Sequence, residues 1–117
     1  MFGGERRKMT ENDKVPELSN GEFEEFITKG IVLIDFYAEW CMPCLMMAPV
    51  IDEMSEIFKG KIKFGKVNID DNQQIAGKFG VISIPNFVVF KDGKKIKQFV
   101  GGISADEFEE KLKEVLK

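Results

Sequence analysis

The sequence predicts an α/β domain, a mixed β-sheet covered by helices on both faces in the order βαβαβαββα, spanning residues 15–117. Three observations carry that expectation. The run Ile31-Val32-Leu33-Ile34-Asp35-Phe36-Tyr37 is almost continuously apolar and rich in β-branched and aromatic residues, as a strand buried on both faces requires. From Pro43 to about Phe58 apolar residues recur at spacings of three and four, the mark of a helix that buries one side. Near the C-terminus, Phe87-Val88-Val89-Phe90 and Ile96-Lys97-Gln98-Phe99-Val100 flank Lys91-Asp92-Gly93-Lys94, where Asp-Gly is a strong hairpin signal. Helices between the early strands imply parallel, right-handed crossovers, and the hairpin adds antiparallel pairing.

Taken in order, residues 1–14 have no hydrophobic period and read as a flexible extension. Their Arg6-Arg7-Lys8 triplet is expected to be solvated. Val15 to Leu18 can make a short first strand, with Pro16 pointing to a sheet edge. Ser19-Asn20-Gly21-Glu22 has the capping-box spacing, and Phe23, Phe26 and Ile27 follow at helical intervals, so a helix over about 20–29 is expected, closed by Gly30. The central strand over 31–37 comes next. The long helix after it should bury Met46, Met47, Val50, Ile51, Met54, Ile57 and Phe58 and kink at Pro49. Residues 61–69 alternate as a strand, and 72–79 make a short helix ended by Gly80. After the hairpin, Ser104-Ala105-Asp106-Glu107 repeats the capping-box spacing, and Phe108, Leu112, Val115 and Leu116 form the buried face of the last helix.

Composition narrows the function classes. The chain has 117 residues, 44% of them hydrophobic, enough to fill one core without cross-links. With 17 basic and 20 acidic residues interspersed, no electropositive face for nucleic acid is evident. No apolar run approaches the roughly 18 residues needed to span a bilayer, and the first fourteen residues lack the apolar stretch of a secretory signal. A cytoplasmic, monomeric protein is expected, with no nucleic acid and no membrane among its partners. In a reducing cytosol, two cysteines three apart read as redox or metal groups rather than a staple.

Both cysteines lie in Trp40-Cys41-Met42-Pro43-Cys44. Cys41 falls just after the central strand, and Cys44 falls in the first turn of the helix that follows. Residues three apart lie on one side of a helix, so the sulfurs can bond without moving the backbone. Cys41 would meet the unpaired N–H groups and the positive dipole end of the helix, both of which favour thiolate. Pro43 suits the first turn because its missing N–H has no intrahelical partner. A structural zinc site needs four Cys or His ligands, and this chain has two Cys and no His, so no metal is expected unless two chains share one ion. An inert pair of core cysteines stays open, although the flanking Trp and the intervening Pro favour a redox site.

In this layout the motif resembles thioredoxin, over about residues 15–117. The family's other marks follow in order: Val32-Leu33-Ile34-Asp35-Phe36, Ala48-Pro49, Lys66-Val67-Asn68-Ile69-Asp70, Ile84-Pro85 and Val100-Gly101-Gly102. The resemblance implies the thioredoxin fold and a thiol-disulfide oxidoreductase that reduces disulfides in substrate proteins. It implies that Cys41 attacks and that Cys44, the more buried sulfur, resolves into a Cys41–Cys44 disulfide. It makes Asp35 the buried carboxylate that exchanges the Cys44 proton, with Lys66 beside it. Ile84-Pro85 would be the cis-proline loop. Trp40, Met42, Pro43, Ile84, Pro85, Gly101 and Gly102 would line the substrate surface. No bound cofactor is implied, since a separate thioredoxin reductase supplies the electrons. Running the same site backward as an oxidase or isomerase, or using the surface as a non-redox binding module, are the alternative readings.

Three residues depart from the family pattern. Met42 stands where Gly is commonest, Leu45 where a basic residue often follows the second cysteine, and Tyr37 where Trp is frequent. Met42 is expected to be exposed, and Met46, Met47 and Met54 to fill the core.

Overall fold

The computed structural model describes residues 15–117, and the extension expected over residues 1–14 lies outside the described residues. The elements run α1 (Asn20–Phe26), β1 (Ile31–Tyr37), α2 (Met42–Ile57), β2 (Lys63–Asn68), α3 (Gln73–Lys78), β3 (Asn86–Lys91), β4 (Lys94–Val100) and α4 (Ala105–Val115). The sheet order is β2-β1-β3-β4. β1 pairs parallel with β2 and antiparallel with β3, and β3 pairs antiparallel with β4.

Helix length explains where direction reverses. The 16 residues of α2 rise about 24 Å, enough to carry the chain back along a strand and start β2 parallel to β1. By contrast the six residues of α3 rise only about 9 Å, against about 20 Å for a six-residue strand. The chain therefore enters β3 from the end where β2 left off, and this connection is not the parallel crossover the sequence suggests.

The expected first strand is reduced to one parallel bridge, Glu17 to Lys66. Lys66 N–H donates to the Pro16 carbonyl at 3.0 Å and Leu18 N–H to the Lys66 carbonyl at 2.8 Å. The next rung would need an N–H on Pro16, which has none, so the ladder stops there. Leu18 packs close over β2 because Gly65 lies beneath it: a Cβ at Gly65 would stand 2.8 Å from Leu18 Cδ1.

Period-two alternation splits the core into two layers. Val32, Ile34 and Phe36 of β1 face α1 and α3, where Phe23, Phe79 and Phe90 meet at centroid distances of 5.0–5.8 Å. Leu33 faces α2 and α4, packing with Met47, Ile51, Met54, Phe87, Phe108 and Leu112. Asp35 shares the Leu33 side of β1. The helix-start signals hold at both sites, as a capping box at Ser19, where the Glu22 carboxylate accepts from Ser19 N–H at 2.8 Å, and as an N-cap at Ser104, whose Oγ accepts from Glu107 N–H at 3.1 Å. α1 ends at Phe26, short of Lys29, before Gly30 at φ 73°. The hairpin turn has positive φ at both Asp92 and Gly93, as a tight two-residue loop demands. α2 continues through Pro49, which lies on its exposed side. Its buried face is Cys44, Met47, Ile51 and Met54; Met46 and Ile57, expected in the core, lie outside that arc and are exposed.

Candidate active site

β1 ends at Tyr37, and four residues later Cys41 takes the N-cap position of α2. Its extended backbone, φ −92° and ψ 104°, turns the chain from strand to helix, while Met42 and Pro43 start the first turn with Pro43 where no N–H is needed. Cys41 and Cys44 are joined as a disulfide, with Cα atoms 5.3 Å apart. Cys41 Sγ accepts the Cys44 backbone N–H at 3.2 Å, so the sulfur occupies the place of a capping oxygen at the positive end of the helix. The pair sits in an apolar nest of Ala38, Tyr37, Ile69 and Ile84. The greater burial expected for Cys44 is absent: Cys41 is 4% exposed and Cys44 6%, because Ile69 and Ile84 pack against the pair.

Asp35 lies six residues upstream on β1, buried, with Lys66 as its register partner on β2 and Phe87 on β3. Burial pushes its carboxyl up from 3.8 to about 7, against the lowering pull of the Lys66 ammonium. The Lys66 ammonium stands 5.5 Å from the Tyr37 ring centroid. A carboxyl that titrates near neutral pH, on the strand that leads into the cysteine turn, can give or take a proton under working conditions.

Around the pair, Trp40 and Met42 are 69% and 65% exposed, and Pro43 and Gly102 are exposed beside them. The Ile84–Pro85 bond is cis, with Ile84 half-buried and Pro85 buried. Gly101, at φ 93°, donates its N–H to the Pro85 carbonyl at 2.8 Å, which ties the glycine loop to the proline loop. Two further groups in the frame carry no signal in the local pattern. Asp70 Oδ2 accepts from Trp40 Nε1 at 2.9 Å, which fixes the direction of the exposed indole. Buried Asn86 donates to the Ser83 carbonyl at 3.1 Å and accepts from Gln98 Nε2 at 2.9 Å, bracing the loop that carries Pro85. Among the described residues no group of three or more His, Cys, Asp or Glu could hold a metal ion. No helix among them is long and apolar enough to cross a membrane.

Residues 14–114 match the thioredoxin family model. A thioredoxin of Pseudomonas aeruginosa is 41% identical over 98 residues, covering 82% of this chain and 91% of that protein. The chain belongs to the thioredoxin family. Thioredoxin 1 of Nostoc sp. is 50% identical over 72 residues, 62% of this chain and 67% of its own. Among solved structures, a point mutant of a thioredoxin from Halobacterium salinarum superposes with a TM-score of 0.79 at 29% identity, covering 89% of this chain and 93% of that one. This thioredoxin is a thiol-disulfide oxidoreductase with Cys41–Cys44 as its disulfide-capable pair, and its family's members are protein-disulfide reductases. Thioredoxins work with reductases and disulfide substrates; a second structural neighbour, with a TM-score of 0.79 at 30% identity, covers 88% of this chain and 97% of that one and comes from a study of thiol resolution in yeast mitochondrial 1-Cys peroxiredoxin via glutathione/thioredoxin systems.

Proposed function

We propose that Cys41 is the attacking thiolate and Cys44 the resolving one. The observation that carries this assignment is the Cys44 N–H donated to Cys41 Sγ at the N-cap of α2. In the dithiol form that donor and the helix dipole stabilise a thiolate at Cys41 more than at Cys44, which lies inside the first turn. Cys41 attacks one sulfur of the substrate disulfide, and the other sulfur leaves as a thiolate. Cys44, its proton passed to the Asp35 carboxylate, then attacks Cys41 Sγ and expels the second substrate thiolate. Two electrons have moved from the dithiol to the substrate, leaving Cys41–Cys44 oxidised. Lys66 keeps the Asp35 carboxyl from rising further, so part of the population is ionised at neutral pH.

Trp40, Met42, Pro43, Ile84, Pro85, Gly101 and Gly102 supply an apolar, partly backbone-lined surface that an extended substrate segment crosses with little side-chain selectivity. The protein works as a cytoplasmic monomer, where a reducing poise keeps the pair available as a dithiol. It needs no bound cofactor: thioredoxin reductase returns the electrons, and disulfide-containing proteins receive them.

Replacing Cys44 by Ser tests the assignment. On addition of an oxidised substrate protein, the variant should accumulate a mixed disulfide through Cys41, visible by intact mass and released by dithiothreitol. A variant that yields no Cys41 adduct, or a Cys41→Ser variant that traps substrate through Cys44 equally well, contradicts it.

A further inference from the structure

We propose that Met42 and Met46 form an oxidation site through which hydroperoxides weaken docking of substrate proteins at the cysteine pair; the proposal rests on the reductase reading above. The two residues are four apart on α2 and share one face of its first turns. They are 65% and 71% exposed, whereas Met47 and Met54 are 5% and 0% exposed. With Pro43, Val50 and Ile103 they border an open cleft of about 600 Å³ beside the cysteine turn. Cys41 is itself only 4% exposed and exposed Met42 follows it directly in the chain, so a protein that approaches the sulfur meets this rim at its Met42 end.

Thioether chemistry makes the rim changeable. The Met sulfur attacks the outer oxygen of a hydroperoxide, the O–O bond breaks, and water or an alcohol leaves carrying the proton. Sulfur loses two electrons and becomes a sulfoxide, and the peroxide gains them. An apolar, flexible side chain becomes a polar one at the place where substrate surface must be desolvated. The cysteine pair responds differently to the same oxidant: it closes to a disulfide that a reductase reopens. A sulfoxide has no S–S bond for a thiolate to attack, so the methionines keep the mark until a methionine sulfoxide reductase removes it.

The test uses the full chain with Cys41–Cys44 held as the disulfide. The protein is treated with hydrogen peroxide, the peroxide is removed, oxygen uptake is mapped by peptide mass spectrometry, and the pair is reduced with dithiothreitol before assay. Met42 and Met46 should gain oxygen before Met47 and Met54. The kcat/KM for insulin disulfides should then fall about tenfold, the scale of losing one apolar side chain's burial in the docked state. Reduction of a small aromatic disulfide should hold within about twofold, since it needs little of the rim. Methionine sulfoxide reductase should restore the insulin rate, a result that depends on no substitution. A Met42→Leu, Met46→Leu protein, compared with its own untreated rate, should lose nothing on the same treatment, although Met1 and Met9 are still present. Equal oxidation of Met47, an unchanged insulin rate once Met42 and Met46 carry oxygen, or an equal loss in the double variant each overturns the proposal. An untreated protein that cannot reduce insulin would overturn the reductase reading, and this inference with it.

Discussion

Replacing Asp35 by Asn should make the disulfide form of the protein more stable, by an amount that grows with pH. The carboxyl is 8% exposed and its pKa stands at about 7 against 3.8 for an ordinary aspartate. Between those two values the folded protein binds more protons at this group than the unfolded chain does. Stability therefore falls as pH rises through that window, and it levels off above the folded pKa. At about 1.4 kcal/mol per pH unit, the full difference is on the order of 4 kcal/mol. Asn keeps the shape and cannot ionise, so it escapes the penalty. Guanidinium unfolding can be followed by emission from Trp40, the chain's single tryptophan, at half-unit steps from about pH 4 to 8.5. The variant should match the wild type near pH 4 and exceed it by about 4 kcal/mol above pH 8. A difference that is constant across the range, or largest in acid, would refute the idea that a buried carboxylate is the cause. The same variant should slow the resolving step at pH 7 by about tenfold or more, with mixed disulfide building up in rapid-quench samples, because Cys44 loses its proton acceptor.

Two other substitutions probe the frame around the pair. Asp70→Ala removes the acceptor for Trp40 Nε1, an exposed bond worth about 0.5–1.5 kcal/mol. KM for a protein disulfide should rise severalfold with kcat little changed, and the Trp40 emission maximum should shift; unchanged values for both would mean that the indole is held by packing alone. Gly65→Ala puts a methyl 2.8 Å from Leu18 Cδ1 and 3.0 Å from Phe26 Cε2, so overpacking should cost about 1–3 kcal/mol. A urea midpoint equal to wild type would show that the segment over 15–18 moves aside at no cost.

The layout was legible in the sequence wherever a residue's neighbours along the chain decide its state. The apolar run of β1, the capping-box spacings at Ser19 and Ser104 and the Asp-Gly turn are local signals, and each element appears where they point. Met46 and Ile57 were not legible as surface residues because spacing alone cannot say how wide a helix's buried arc is. Nor was the reversal into β3, which depends on the length of α3 measured against the sheet. The cysteine pair, Asp35 and the Ile84–Pro85 loop stand in the expected elements. The Asp70–Trp40 and Asn86–Gln98 bonds join residues 30 and 12 apart, and no period in the sequence encodes such contacts.

In the proposed cycle Met42 and Leu45 are expected to bear on docking more than on activation of the nucleophile. The donor to Cys41 Sγ is a backbone N–H, fixed by the start of α2 and present whichever side chains occupy positions 42 and 45. Both side chains point to solvent, 65% and 53% exposed, so a charge at position 45 would act on the Cys41 sulfur mainly through water, where the effective dielectric is high and the interaction small. Helix capping therefore sustains the Cys41 thiolate in the proposed cycle without a basic neighbour. What the two departures add is apolar area, which joins that of exposed Met46 on the first turns of α2. A Leu45→Lys variant should accordingly leave the redox potential of the pair within about 10 mV, well under the roughly 30 mV that marks a tenfold change in the equilibrium constant. Its KM for apolar-flanked disulfide proteins should rise instead. Equilibration against glutathione measures the first quantity and insulin kinetics the second; a shift of about 30 mV or more with KM unchanged would assign Leu45 to thiolate electrostatics.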